Sequence, residues 1–376
     1  MNRHGLRAGI IVGAAALAIA VTGASRPALM ALERIDIRPP ARLSETGLYL
    51  PGNVGIVDQR NRLFSPQYPL WSDGATKIRW VYIPPNTVID TGNDAAWEFS
   101  VGTRFWKEFS FNSRKVETRM LWKATATQWV AVSYMWNEAQ TDAVLASDRG
   151  EPGVATISGS RQHSIPSASD CLTCHGAKRT EPLGFNPLQL STDRDPNAIH
   201  GEPLAPGMLT IRTLVGEHLL SPQRTDLVDA PPRIRTSSAD TRTMLGYFTT
   251  NCGSCHRGDG EMAVQVPSLR YSDVMHDGDA AALRLVGRRT DWQVPSQDGN
   301  SVLIDPVTPD RSAMLYRMRS RSPSSQMPPL GTVVRDQAAV DALTRWIAGL
   351  PRTSRQESLE VRHHVPRVIL RAVNER

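Results

Sequence analysis

All four cysteines of this 376-residue chain lie in two copies of one short motif. The first copy, CLTCH, spans Cys171–His175, and the second, CGSCH, spans Cys252–His256. C-x-x-C-H is the attachment pattern of c-type haem, in which two thiols form thioether bonds to the porphyrin and the adjacent histidine ligates the iron. The sequence therefore predicts two covalently attached haem c groups. Their cofactor-binding residues are Cys171, Cys174, His175, Cys252, Cys255 and His256.

Three other arrangements use the same cysteines. In an oxidising compartment the thiols can pair as disulfides, with several connectivities. The two pairs can also supply the four thiolates of a structural zinc site, and a single C-x-x-C is a redox-active motif. Each arrangement leaves the histidine after both pairs to coincidence, although the chain has only nine histidines. We therefore favour haem at both motifs.

The segment 237–351 has helix signals on both sides of the second motif. Ser238 or Asp240 is a suitable N-cap for a helix that leads into the motif, and Gly246 within it allows a close helix crossing. Asp336 caps a later helix, which ends at a Gly-Leu-Pro run. The apolar residues at helical spacing are Met244, Leu245, Tyr247 and Phe248 in the first helix and Val340, Leu343, Trp346, Ile347 and Leu350 in the second. This arrangement resembles a class I cytochrome c domain, whose first and last helices cross beside the haem.

The run SSQMPPLGT contains the methionine that this resemblance implicates as a distal ligand. In the cytochrome c family a methionine in a proline-containing loop before the last helix donates its sulfur to the iron, and Met327 stands at that place. Met314 and Met318 are alternatives, although their spacing of four residues is typical of one face of a helix; a histidine is a further alternative. Histidine and methionine ligation raises the reduction potential of haem, which suits an electron carrier.

The first motif has weaker signals around it. It follows RQHSIPSASD, in which Pro166 and the serines argue against a preceding helix and predict an irregular or reduced fold. Met208, which follows a Pro-Gly pair in a loop, is the first candidate for the distal metal ligand. His200 and His218 are alternatives, as is an open position that leaves room for a small molecule.

The N-terminal third of the chain shows the alternation of β-strands. Seven of the nine tryptophans lie between Trp71 and Trp136. Apolar residues recur at every second position in KIRWVYI, VETRMLWK and WVAVSYMW, and turn signals separate these runs. Such a pattern predicts an antiparallel sheet or sandwich. We expect the aromatic side chains to form a core instead of a ligand platform.

The order of the motifs extends the resemblance to most of the chain. YPLWSDGATKIRWVYIP, FSVGTRFWKEF, ETRMLW, MWNEAQTDAV, two C-x-x-C-H motifs and MPPLGT follow one another as in a family of poorly characterised exported dihaem c-type proteins. The resemblance covers nearly all of residues 45 to 350 and implies an α+β multidomain protein. The predicted units are a signal peptide (1–24), a β-rich domain (45–158), a first haem segment (159–236), a class I cytochrome c domain (237–351) and a basic tail (352–376).

The N-terminal segment and the net charge indicate the compartment of the protein and the classes of partner that it binds. Arg3 and Arg7 precede an uncharged, alanine-rich run, which predicts a secretory signal peptide and a periplasmic protein; an uncleaved membrane anchor is the alternative. The net charge of +6 is scattered, with no nucleic-acid motif, so we expect no nucleic-acid partner.

The predicted function is electron transfer between a periplasmic dehydrogenase or oxidase and a downstream acceptor. A haem enzyme of the peroxidase or oxidase type, with an open first haem, and a cytochrome that docks its partner enzyme through the β-domain are alternatives.

Overall fold

A six-stranded antiparallel sheet organises the first half of the fold. The computed structural model describes residues 37–176, 182–258, 266–295 and 301–351, so the predicted signal peptide and basic tail lie outside the described residues. The strands are β1 (Tyr49–Leu50), β2 (Asn53–Val57), β3 (Arg62–Leu63), β4 (Thr76–Tyr82), β5 (Ile89–Asp90), β6 (Arg104–Phe111), β7 (Arg114–Lys123), β8 (Trp129–Trp136), β9 (Ala143–Leu145), β10 (Glu151–Ser158), β11 (Arg161–Ile165) and β12 (Leu220–Ser221). The large sheet has the order β3-β4-β6-β7-β8-β9. The strands predicted from KIRWVYI, VETRMLWK and WVAVSYMW are β4, β7 and β8, and the prediction of an antiparallel sheet is confirmed.

The two faces of this sheet bury different kinds of residue. One face packs its aromatic side chains, among them Trp80, Trp106 and Tyr134, against Leu43 and Leu48 of the preceding segment. The other face is apolar only at one end, where its residues pack with α-helical residues further along the chain. In the middle of that second face basic residues stand on adjacent strands and are turned into the protein. Period-two alternation therefore does not separate a buried face from a solvent face here.

Short helices are the main secondary-structure elements of the second half. They are α1 (Ala168–His175), α2 (Ile211–Gly216), α3 (Asp226–Asp229), α4 (Ala239–Asn251), α5 (Tyr271–Val274), α6 (Gly278–Leu283), α7 (Ala313–Arg319) and α8 (Gln337–Gly349). Among the described residues no helix combines the length and apolar character that a membrane span requires. With both helices and antiparallel strands in substantial amounts, the fold class is α+β, as predicted.

The helices on either side of the second motif are confirmed and pack against each other. Ser238 caps α4 by accepting the N–H of Thr241 at 3.2 Å, and Asp336 caps α8 by accepting the N–H of Ala339 at 3.1 Å. Trp346 Nε1 donates to Thr241 Oγ1 at 3.0 Å. The two helices are thereby joined at the N-terminal end of α4, and their apolar faces form one core.

Gly246 makes room for a ring from the N-terminal half of the chain. A Cβ atom built at this position would lie 2.1 Å from Cε1 of Tyr68, which is far inside van der Waals contact. Tyr68 comes from the segment before β4 and is only 1% exposed. The absence of a side chain at Gly246 thus admits an aromatic ring from the N-terminal half.

Tyr68 also shows how the two halves of the chain are connected. It belongs to the same core cluster as the buried residues of α4 and α8. The described residues from Pro39 onwards form one compact unit, and the predicted boundaries at 158 and 236 both fall inside it. The finer domain division stays a prediction.

Candidate functional site

Both C-x-x-C-H motifs line a single cavity. Its volume is about 440 Å³, within the range of roughly 300–1,000 Å³ that small-molecule and cofactor sites occupy. The cavity lies between the sheet, the helix of the first motif and the loop that contains Met327, and most of its wall is apolar. All six predicted attachment residues contribute to this wall: Cys171, Cys174, His175, Cys252, Cys255 and His256.

The first motif lies on a short helix of its own. Ser167 Oγ accepts the backbone N–H of Asp170 at 3.2 Å, and the Asp170 carboxylate accepts the N–H of Ser167 at 3.0 Å. This reciprocal capping starts α1 at Ala168, two residues after Pro166. The predicted irregular segment is instead the hairpin β10–β11 followed at once by the helix. Because Cys171 and Cys174 are three residues apart on α1, their thiols lie on the same side of it.

The second motif turns sharply at the end of α4. The backbone N–H groups of Cys255 and His256 both donate to the Cys252 carbonyl, at 3.1 and 2.9 Å. A Cβ at Gly253 would come within 2.5 Å of the Thr249 carbonyl oxygen, so the turn can close only with glycine there. This tight turn brings both thiols and the imidazole to one side of the chain.

The two motifs contact each other inside the cavity. The Cys174 thiol forms a hydrogen bond with Cys255, and this bond lowers the pKa of Cys255 to about 6 although burial acts in the opposite direction. Arg257 Nη2 also donates to the Cys174 carbonyl at 3.3 Å. All four cysteines are free thiols, so the disulfide arrangement is not present. No group of three His, Cys, Asp or Glu side chains in the described ranges is placed to bind a metal ion.

Met327 and His256 line the same cavity, as the predicted ligand pair requires. The Met327 N–H donates to the Arg317 carbonyl at 3.0 Å, which ties the loop to the end of α7. His256 Nδ1 is buried and has no hydrogen-bond partner among the described residues. Burial, followed by the charge of Arg317, lowers the pKa of His256 and favours the neutral imidazole that ligates metals. Met314 and Met318 lie on α7, as their spacing predicted, and also reach the cavity wall.

The candidates for the distal position at the first motif lie elsewhere. Met208 Sδ accepts the N–H of Ala205 at 3.3 Å within its own loop. The His200 ring stacks on Trp71 with centroids 4.8 Å apart, and its Nε2 lies 2.9 Å from an Asp336 oxygen. His218 is exposed after α2. Within the part of the chain that is described, none of Met208, His200 and His218 belongs to the cavity wall, so the structure does not bring them to the first motif.

Three basic residues of the sheet line the cavity and were not predicted as site residues. They are Arg79 of β4, Lys107 of β6 and Arg119 of β7. In the sequence each has an apolar residue on at least one side (Trp80, Trp106 and Met120), which is also the pattern of a solvent-facing position on a strand. The signal that could have identified them is the shared register, because a basic residue occurs at the same phase in three runs that pair with one another.

Arg119 is held by a buried carboxylate beneath the cavity. Its Nε and Nη2 donate to Glu117 Oε1 and Oε2 at 2.7 and 3.0 Å. Glu117, fully buried, also accepts from Ser133 Oγ at 2.8 Å and contacts His163 Nε2 at 3.1 Å. Burial alone would raise the pKa of Glu117, but the charge of Arg119 and the hydrogen bonds from His163 and Arg119 lower it to about 2. Glu117 is therefore an ionised anchor for the Arg119 side chain.

Comparisons with known proteins do not assign a family. No family model, no curated protein and no solved structure matches this chain. The resemblance to exported dihaem c-type proteins stays a prediction, and the function has to be argued from the residues around the cavity.

Proposed function

We propose that this protein is an exported dihaem c-type cytochrome that transfers electrons between a periplasmic dehydrogenase and a downstream acceptor. The observation that supports it most is that two C-x-x-C-H motifs, 81 positions apart in the chain by their first cysteines, line one cavity and contact each other through Cys174 and Cys255. Haem groups attached at the two motifs would approach each other at these cysteines. Close approach is what transfer between two haems requires.

The residues of the cavity fit the cofactor. Each motif offers two free thiols for thioether bonds and one histidine for the iron. At the second motif His256 has a buried ring nitrogen without a partner among the described residues, and Met327 supplies a thioether sulfur from the facing loop. Bound haem supplies an iron that changes between its ferrous and ferric states.

The chain contributes the surroundings of the iron. Apolar side chains such as Leu269, Leu303 and Val266 line the cavity, and an apolar surrounding strengthens the charge interactions within it. A methionine sulfur in place of a second imidazole favours the ferrous state and raises the potential. The helices α4 and α8 pack into one core beside the second motif, and such packing would limit the structural change that accompanies each electron.

The proposal is tested on the exported protein purified from its native compartment. We expect two covalently bound haems per chain by pyridine haemochrome analysis, and oxidation of the reduced protein by an acceptor of higher potential. Export without covalent haem, or one haem per chain, would contradict the proposal.

A second candidate function is a haem enzyme whose first haem has an open position. It is favoured by the placement of Met208, His200 and His218 away from the cavity, together with the basic residues inside it. Titration of the reduced protein with carbon monoxide separates the two functions. A carrier with both haems fully ligated binds none, whereas an enzyme of this kind binds one equivalent at the first haem.

Replacing Met327 with leucine tests the ligand at the second motif. Leucine has nearly the same volume, so we expect the loop to keep its packing. The near-infrared or red absorption band of sulfur-to-iron charge transfer should disappear and the potential of one haem should fall, because the ferrous state loses its thioether ligand. Met314→Leu and Met318→Leu are matched controls on the same cavity wall. Loss of the band in either control, with the band retained in Met327→Leu, would assign the ligand to α7.

A further inference from the structure

The basic residues on the inner face of the sheet form a row across three strands. Arg79 of β4 pairs directly with Lys107 of β6, and Lys107 pairs directly with Arg119 of β7. Adjacent strands are about 4.8 Å apart, so the row extends for roughly 10 Å. Like charges at directly opposite positions destabilise a sheet. The packing of the sheet itself therefore gives no reason for this row.

The charges of the row are only partly neutralised by the protein. Arg79 Nη1 pairs with Glu202 Oε2 at 3.0 Å, and Arg119 pairs with Glu117. Lys107 forms no hydrogen bond or ion pair with a described residue; its Nζ lies 4.8 Å from the centroid of the Phe109 ring. Burial and the charges of its basic neighbours lower the pKa of Lys107 well below its ordinary value. A cation in this position needs an anionic partner.

Arg79 has an unused donor in the same place. Its side chain is 5% exposed, and its Nη2 atom is buried without a hydrogen-bond partner among the described residues. Leaving such a buried group unpaired costs free energy, and the cost is greater for a charged donor. Because Arg79 lines the cavity, the missing acceptor is expected to come from a molecule inside the cavity.

The row also has a defined direction relative to the first motif. The positive charge of Arg119 acts on both Cys171 and Cys174, so this end of the row is near the two thiols. Arg79 stands two strands further away. In haem the two propionate carboxylates are on the porphyrin edge opposite the vinyl groups that bond the thiols. Carboxylates paired with arginine or lysine form strong charge-assisted hydrogen bonds.

We propose that Arg79 and Lys107 bind the propionate carboxylates of the haem attached to Cys171 and Cys174. This inference rests on the proposed function and adds a carboxylate-binding site to it. Arg119, held by Glu117, marks the thioether end of the row and is a positioning residue. A free anion has the same chemistry as a propionate, and the experiment distinguishes the two sources.

The test compares Arg79→Gln and Lys107→Met with the wild-type holoprotein. We expect unchanged covalent haem content, altered propionate bending bands of one haem in resonance Raman spectra, and an equilibrium constant for reduction of that haem about tenfold lower, which equals about 59 mV for one electron. Arg79→Lys should restore part of both effects. Lys77→Met is the matched control, because Lys77 lies on the same face, donates to the Leu70 carbonyl and does not line the cavity.

Two results would overturn the inference. One is unchanged propionate bands in both Arg79→Gln and Lys107→Met although each protein carries its full haem content. The other is a spectral response of the wild type to inorganic phosphate that both variants lose while their propionate bands stay the same, because the row would then bind a free anion. A wild-type protein without covalent haem would refute the proposed function instead. If Arg79→Gln fails to fold, Lys107→Met alone decides.

Discussion

Replacing Cys171 and Cys174 together with alanine is expected to remove one of two covalently attached haems and to leave the other in place. A thioether bond to haem needs a cysteine thiol, and the second motif closes its own turn through backbone hydrogen bonds to the Cys252 carbonyl. The reciprocal variant, Cys252→Ala with Cys255→Ala, should lose the other haem. Haem-stained denaturing gels, scaled to total protein, measure the covalent content, and each variant should show about half of the wild-type signal.

The control for this experiment lies inside the first motif. Leu172 is exposed at 38%, and Thr173 donates its hydroxyl to the Ser169 carbonyl. Neither side chain carries a thiol, so neither can form a thioether bond to haem. Leu172→Ala should keep the full haem signal. Undiminished staining in one of the double variants would show that this motif does not attach haem and that its cysteines are ordinary thiols.

Replacing Glu117 with glutamine is expected to lower the free energy of unfolding by about 3–5 kcal/mol, the usual cost of removing one partner from a buried ion pair. The substitution leaves the Arg119 charge unbalanced beneath the cavity and removes the carboxylate contact of His163. Guanidinium denaturation at neutral pH, followed by tryptophan fluorescence, measures the loss. Glu138→Gln is the matched control, since Glu138 lies exposed in the turn after β8.

The ion pair of Glu117 and Arg119 predicts that the stability of the fold depends on pH. The pKa of Glu117 is about 2 in the folded protein, against 4.5 as its ordinary value. A lowered pKa means that the folded state binds the proton more weakly than the unfolded state. The contribution of Glu117 is therefore complete above about pH 4.5 and is lost as the pH falls towards 2. The difference in stability between wild type and Glu117→Gln should shrink over this window; a constant difference from pH 7 to pH 3 would contradict the assignment.

Much of the secondary structure is predictable because local rules decide it. Alternating apolar residues specify β4, β7 and β8, and the Asn112–Ser113 pair takes the left-handed backbone that a tight hairpin needs, with φ of 49° and 63°. Side-chain caps set the beginnings of α4 and α8 at Ser238 and Asp336. No helix precedes the first motif, as predicted, since Arg161–Ile165 is strand β11. The segment is not irregular, because Ser167 caps α1 directly after Pro166.

The site is predictable only in part. The motif predicts the attachment residues from their chemistry, and all of them line the cavity, as does the methionine of the Met-Pro-Pro loop. The prediction for Met208 rests on a similar loop composition, but its sulfur satisfies a backbone N–H of its own turn. Gly246, expected at a helix crossing, makes room for a ring that is 178 positions away in the chain. Contacts at such separations leave no local pattern.

By itself the sequence determined the thiols, the imidazoles and the methionine that a covalently bound cofactor would need, since these depend on residue type and short spacing. The tertiary structure alone decided that the two motifs share one cavity, that Cys174 contacts Cys255, and that Arg79, Lys107 and Arg119 face inward. Strand register sets which side chains stand opposite each other, and packing of helices on the sheet decides which face is buried. An alternating charged residue has the same sequence signature on a solvent face and on the wall of a buried site.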